Sequence, residues 1–87
     1  MQFDINRLNN GRIQIAAHRN RTSNGHVLTY PSSKEAAAAL VSLGFDSKII
    51  DQAFATIAEF NYGPHERVHL PEIEMTIETA RAHGFLV

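Results

Sequence analysis

Apolar residues alternate with polar ones in two early segments of the chain, which begin near Phe3 and near Ile13. A period of two predicts β-strands with one apolar face. Asn9-Asn10-Gly11 separates the two segments and is typical of a hairpin turn. We expect a three-residue loop with Gly11 in the left-handed conformation, because that loop keeps the apolar residues on one face. The predicted pairs are Phe3 with Ala17, Ile5 with Ile15 and Arg7 with Ile13.

A second turn signal, Asn24-Gly25, predicts another hairpin. If these two residues form the turn, Arg21 faces Leu28 and Arg19 faces Tyr30. Leu28 and Tyr30 then join the apolar face of a three-stranded antiparallel meander. The opposite face of this sheet is polar and carries Asp4, Asn6, Gln14 and His18.

The pattern then changes to helical spacing. Ser32 and Glu35 form a capping box that predicts the start of a helix through 36–43, and Gly44 is placed to end it. Asp46 is placed to cap a second helix. The buried stripe predicted for that helix consists of Ile50, Ala53, Phe54, Ile57 and Ala58.

Leu70-Pro71 predicts the start of a third helix, with Pro71 in its first turn and Gly84 after its end. Residues 64–70 fit a strand, a loop or a helical turn. The sequence therefore predicts one α+β domain, 1–87, in which a three-stranded antiparallel meander is followed by three helices packed on one face. The predicted core contains Phe3, Ile5, Ile15, Leu28, Leu40, Leu43, Ile50, Phe54, Ile57, Ile73 and Ile77.

Composition narrows the function classes. The 87 residues are 44% hydrophobic and 20% charged and contain no cysteine, so we expect a globular domain without disulfides or thiolate metal sites. No apolar run approaches the roughly 18 residues of a membrane span, and no secretory signal is visible. We therefore expect a small cytoplasmic domain with no membrane partner.

Charge is distributed unevenly along the chain. Residues 1–34 carry five basic residues against Asp4, whereas residues 35–87 carry eight acidic residues against three basic ones. A basic front part could serve an anionic partner. Alternatively, the two parts complement each other within one fold.

His65-Glu66-Arg67-Val68-His69 matches the H-E-x-x-H motif and resembles the zincin metalloproteases over these five residues. On a helix this spacing places two imidazoles on one face to bind zinc, and the glutamate activates the bound water. Pro64 and Pro71 leave little room for such a helix. A zinc-dependent hydrolase using His65, Glu66 and His69 is thus a remote alternative, and we expect no metal or other cofactor.

A second candidate site is the basic hairpin 12–26. Arginine forks bind phosphates, and a two-stranded ribbon can enter the major groove of DNA. The sequence pI of about 6.5 and the lack of aromatic residues between Ile5 and Tyr30 argue against this alternative. The candidate binding residues are Arg12, His18, Arg19 and Arg21.

Residues 36–54 resemble the first two helices of a ubiquitin-associated (UBA) domain. The likeness rests on Leu43-Gly44-Phe45 after a helix rich in small residues and on Ala53-Phe54 in the next helix. It implies a protein-binding surface on these helices, while residues 61–70 and the preceding strands depart from the family pattern.

The sequence contains none of the nucleophile or phosphate-loop motifs of enzymes. We therefore expect a non-enzymatic binding or regulatory domain whose partner is another protein. Self-association through an exposed sheet edge or through the apolar C-terminal residues is included in this expectation.

Overall fold

A computed structural model describes residues 1–20, 24–59 and 67–87 as an antiparallel sheet with helices on one face. The predicted α+β class and the β1–β2–β3 meander are confirmed. The number of strands differs, because a fourth strand lies beside β1 and the sheet order is β3-β2-β1-β4. The elements are β1 (Gln2–Arg7), β2 (Ile13–His18), β3 (His26–Tyr30), α1 (Ser33–Leu43), α2 (Ser47–Ala58), β4 (Arg67–His69) and α3 (Ile77–Ala82).

The first hairpin has the predicted register. Phe3 pairs with Ala17 and Ile5 pairs with Ile15. Gly11 has a φ of 84°, and its N–H donates to the Leu8 carbonyl at 3.0 Å. The left-handed glycine therefore places the apolar side chains of both strands on one face.

The second hairpin has a different register from the predicted one. Tyr30 pairs with Ile13, not with Arg19, and Leu28 pairs with Ile15. The predicted partner of Leu28, Arg21, lies outside the described residues. Asn24 and Gly25 do not form a two-residue turn, because Ala17 pairs with His26. A Cβ at Gly25 would lie 2.4 Å from the ring of His18. The dipeptide thus marks a close approach of backbone to a side chain. The shift from Arg19 to Ile13 opposite Tyr30 is an even number of residues, so Leu28 and Tyr30 still lie on the apolar face.

Helix α1 begins after Ser32, as predicted, although the cap differs in detail. The Ser32 hydroxyl donates to the Glu35 carboxylate, not to the backbone, and this bond lowers the pKa of Glu35 below its usual value. Gly44 ends the helix with a φ of 103°. The Phe45 N–H donates to the Leu40 carbonyl at 3.1 Å, which completes a Schellman motif.

Helix α2 is capped as predicted, since Oδ1 of Asp46 accepts a hydrogen bond from the Lys48 N–H at 2.7 Å. Its stripe is confirmed in part. Ile50, Ala53 and Ile57 are buried, Phe54 is half-buried and Ala58 is exposed.

The third helix is shorter than predicted and begins at Ile77, not at Pro71. Residues 70–73 instead pair with the start of the chain. The Leu70 N–H donates to the Phe3 carbonyl at 2.9 Å, and the Met1 amino group donates to the Ile73 carbonyl at 2.9 Å. Thr76 caps the helix, because its hydroxyl accepts from the Thr79 N–H.

The core lies between the apolar face of the sheet and the helices. Phe3 is at its centre and makes edge-to-face contacts with Phe45 and Phe85, with ring centroids 5.8 Å and 5.5 Å away. The fully buried Phe85 belongs to this core, so it is not available for self-association. Seven of the eleven predicted core residues are buried, while Leu28, Phe54, Ile73 and Ile77 are half-buried.

Within the described residues, no helix has both the length and the apolar character needed to cross a lipid bilayer.

Candidate functional site

The face of the sheet opposite the helices contains an unusual group of buried polar residues. Asp4 is 6% exposed and Gln2 is 5% exposed. Both residues belong to β1, which lies between β2 and β4, so side chains of the two neighbouring strands flank them. The Asp4 cluster consists of Gln2, Asp4, His18, Arg67 and His69, which line a pocket of about 210 Å³.

Asp4 connects three strands through its carboxylate. Its Oδ1 lies 2.7 Å from Nδ1 of His69 on β4, and its Oδ2 lies 3.4 Å from Nε2 of His18 on β2. The two histidines differ in exposure, because the His18 side chain is 16% exposed and that of His69 is 68% exposed. Asp4 therefore holds one enclosed and one accessible imidazole.

The partners of the cluster are themselves fixed. Gln2 donates through Nε2 to the Leu70 carbonyl at 2.9 Å and lies 3.4 Å from the Asp4 carboxylate. Gly25 lies directly against the ring of His18. These contacts orient the carboxylate and the enclosed imidazole before any ligand arrives.

The chemistry available to this cluster follows from its geometry. A carboxylate at Nδ1 leaves Nε2 of the accessible His69 as the atom that a ligand could reach. No group of three histidine, aspartate or glutamate residues in the described parts of the chain is arranged to hold a metal ion. The contacts of Asp4 join β1 to β2 and to β4, so they stabilise the polar side of the sheet.

Arg12 and Arg19 of the basic hairpin lie at opposite ends of β2. Arg12 precedes β2 and Arg19 follows it, so the strand separates them by roughly 23 Å. Both side chains are exposed. His18 belongs to the Asp4 cluster, and Arg21 lies outside the described residues.

The H-E-x-x-H match also has a different setting from the one its chemistry needs. Residues 67–69 form β4, so the motif is not one continuous helix. Nδ1 of His69 contacts Asp4. His65 and Glu66 lie outside the described residues.

Strand β3 is an outer strand of the sheet and contains no lysine, arginine, aspartate or glutamate. Val27 and Thr29 are exposed on the face of the sheet opposite the helices (the open face). Leu86 is 70% exposed beside the start of the strand, where its N–H donates to Nδ1 of His26 at 3.1 Å. Tyr30 is the last residue of β3, and burial raises the pKa of its hydroxyl above the usual value.

Helix α1 extends this uncharged region. It packs on β2 and β3, and its residues Ala36–Leu43 include no charged residue. Val41 is 60% exposed on this helix. Between Arg21 and Asp46 only Lys34 and Glu35 are charged. We call His26–Tyr30 together with Ala36–Leu43 the β3–α1 side.

The residues of the UBA likeness have a role within the fold. Phe45 of the Leu43-Gly44-Phe45 motif is 5% exposed and contacts Phe3. Ala53 of the second helix is also buried, whereas Phe54 is half-buried.

Comparison with known protein families, with curated proteins and with solved structures finds no match to this chain.

Sequence reasoning missed the Asp4 cluster as a site. The predicted β1–β2 register placed Asp4 and His18 on the same polar face, which was a usable signal. His69 could not be added to them, because the pairing of β4 with β1 was not predicted.

Proposed function

We propose that this chain is a non-enzymatic binding domain whose partner is another protein, bound at the β3–α1 side. The outer edge of β3 is the observation that carries this proposal. An outer strand presents backbone N–H and C=O groups that can pair with a further strand. Within the described residues, β2 is the one strand that pairs with β3.

The surroundings of this edge support a protein partner. Val27 and Leu86 are two of the three large apolar side chains that are exposed in the described residues; Val27 belongs to β3, and Leu86 lies beside it. Depletion of charge is typical of the centre of a protein–protein interface. The β3–α1 side combines these properties with a strand edge.

Site-specific photo-crosslinking in cells that produce the chain tests this proposal. A benzophenone amino acid replaces Thr29 on β3 in one variant and Gln52 on α2 in the control. Both positions are exposed and uncharged. We expect protein adducts from position 29 and markedly fewer from position 52.

Equal adduct yields from the two positions would contradict a specific surface. Adducts to nucleic acid in place of protein would contradict the partner class. Circular dichroism of both purified variants checks that each retains the fold.

A second candidate function is nucleic-acid binding through Arg12, Arg19 and Arg21. One observation favours it. Asp4 is the one acidic residue of residues 1–34, and it is buried in contact with two histidines, so the exposed Arg12 and Arg19 dominate the charge near β2. The signature of this function is an affinity for DNA that falls steeply as salt increases.

A further inference from the structure

We propose that the partner at the β3–α1 side is a second copy of this chain, joined by antiparallel pairing of the two β3 strands. This inference rests on the proposed function and identifies its partner. The pairing would continue the four-stranded sheet of each copy into one sheet of eight strands.

Two-fold symmetry limits the registers in which two β3 strands can pair. A two-fold axis perpendicular to the sheet keeps the helices of both copies on the same side. Side chains on directly opposed residues point to the same face, so apolar-face residues must oppose apolar-face residues. The register with Leu28 opposite Leu28 of the second copy satisfies this condition and pairs all five residues of β3.

The side chains that oppose each other in this register are compatible. His26 faces Tyr30 and Leu28 faces its own copy on the helix side, while Val27 faces Thr29 on the open side. β-branched and aromatic cross-strand pairs are favourable, and no like charges of lysine, arginine, aspartate or glutamate meet. The strand is therefore complementary to itself.

The two outer strands of the sheet, β3 and β4, differ in length and charge. β4 has three residues and carries the exposed Arg67, and short length and charge both discourage further pairing. β3 is longer and has no charge of this kind. Pro31 follows β3, and in the proposed register it would face Gly25 of the second copy, so pairing ends there.

Helix α1, which packs beside β3, also favours a second copy as the partner. Because both helix layers lie on the same side, α1 of each copy approaches the other near the axis. Ala36–Leu43 of α1 contains no charged residue, and Val41 is exposed. Homodimer interfaces are more apolar than other protein interfaces, which fits a second copy better than an unrelated acidic or basic partner.

Sedimentation equilibrium of the full chain, from about 1 µM to about 1 mM, tests the assembly. We expect a reversible monomer–dimer equilibrium. The double variant Val27→Lys/Thr29→Lys places an introduced ammonium group opposite another one twice across the axis. It should raise the dissociation constant by at least about tenfold, because directly opposed like charges are destabilising.

A matched control carries the same added charge elsewhere. Gln52→Lys/Ala55→Lys lies on exposed positions of α2 and should leave the dissociation constant within about threefold of the original value. A charge-reversal partner, Val27→Glu/Thr29→Glu, should form a 1:1 heterodimer with the lysine variant. That rescue shows that the lysine variant is folded and that the two strands oppose each other.

A chain that stays monomeric over the whole range overturns the inference. A dimer that both β3 variants leave intact also overturns it, since another surface then joins the copies. If the chain is monomeric but position 29 still crosslinks to a different protein, the proposed function survives without the second copy. If position 29 gives no protein adduct either, both proposals fail.

Discussion

Asp4 shows how a carboxylate is accommodated on the face of the sheet opposite the helices. Its flanking strands supply two imidazoles, and one of them, His18, is itself largely enclosed. Hydrogen bonds to a charged group contribute about 1.5–3 kcal/mol to stability. The cluster is therefore expected to stabilise the sheet as well as to shape its surface.

We predict that Asp4→Ala lowers the free energy of unfolding by about 2 kcal/mol, because it leaves the enclosed His18 ring without the carboxylate. His69→Ala should cost less than about 1 kcal/mol, since this side chain is mostly exposed. Urea denaturation followed by circular dichroism measures both changes.

The exposed Asp51 on α2 provides the control for Asp4. Asp51→Ala should change stability by no more than about 0.5 kcal/mol. An Asp4→Ala variant as stable as this control would contradict a stabilising role for the cluster.

At the scale of elements, the first hairpin and the first two helices could be predicted from the sequence because their signals are local. Gly11 determines a loop of fixed length, and Ser32, Gly44 and Asp46 mark helix ends through the backbone groups beside them. Each signal acts within a few residues and is visible in the sequence alone.

The second hairpin and β4 could not be predicted in the same way. Gly25 approaches the ring of His18 and the Ala17 carbonyl, a contact that the Asn-Gly dipeptide does not reveal, and β4 has too few residues to show a period. Its partner β1 lies at the other end of the chain. The Asp4 cluster depends on that non-local pairing, so the sequence predicted two of its members on one face but not the site.

The connection between β2 and β3 makes a prediction of its own. We expect Gly25→Ala to destabilise the protein by about 1–3 kcal/mol, because the added methyl would lie 2.4 Å from Cε1 of His18 and 2.7 Å from the Ala17 carbonyl oxygen. The backbone oxygen cannot move away as a side chain can. Thermal unfolding measures the loss.

Asn24→Ala at the neighbouring exposed position is the matched control and should have a small effect. In a His18→Ala background, which itself loses the contact with Asp4, Gly25→Ala should cost less than in the original chain but should still destabilise it, because the contact with Ala17 remains. Full stability of the single Gly25→Ala variant would show that the connection does not depend on this close approach.

At the scale of the whole molecule, the uneven charge along the sequence becomes an uneven surface. Arg12 and Arg19 flank β2, while the acidic residues Glu35, Asp51 and Glu78 lie on the three helices. The β3–α1 side has few charges of either sign. A protein partner and a nucleic acid would therefore use different surfaces.

This separation gives a prediction for the second candidate function. If Arg12 and Arg19 contact phosphates, affinity for a mixed-sequence DNA duplex should fall steeply with salt, and Arg19→Ala should reduce the logarithmic slope by about one. Fluorescence anisotropy over a salt series measures the slope. Arg81→Ala, an exposed position on α3, should leave the slope unchanged.

An affinity that does not change with salt would exclude this function. Weak binding whose slope is the same in the Arg19→Ala and Arg81→Ala variants would also exclude a specific role for Arg19. The β3 variants at Val27 and Thr29 should change the salt dependence of DNA affinity only through the charges that they add.

The contact between Phe3 and Phe85 has a consequence for the synthesis of the protein. These rings meet at the centre of the core, yet one belongs to the first strand and the other follows the last helix. The hairpins can form early because their contacts are local, whereas β4 and Phe85 close a loop of almost the entire chain. A nascent chain therefore exposes Phe3 and the apolar face of the meander until residues 67–85 have been synthesised, and apolar surface exposed in this way favours aggregation and contact with chaperones.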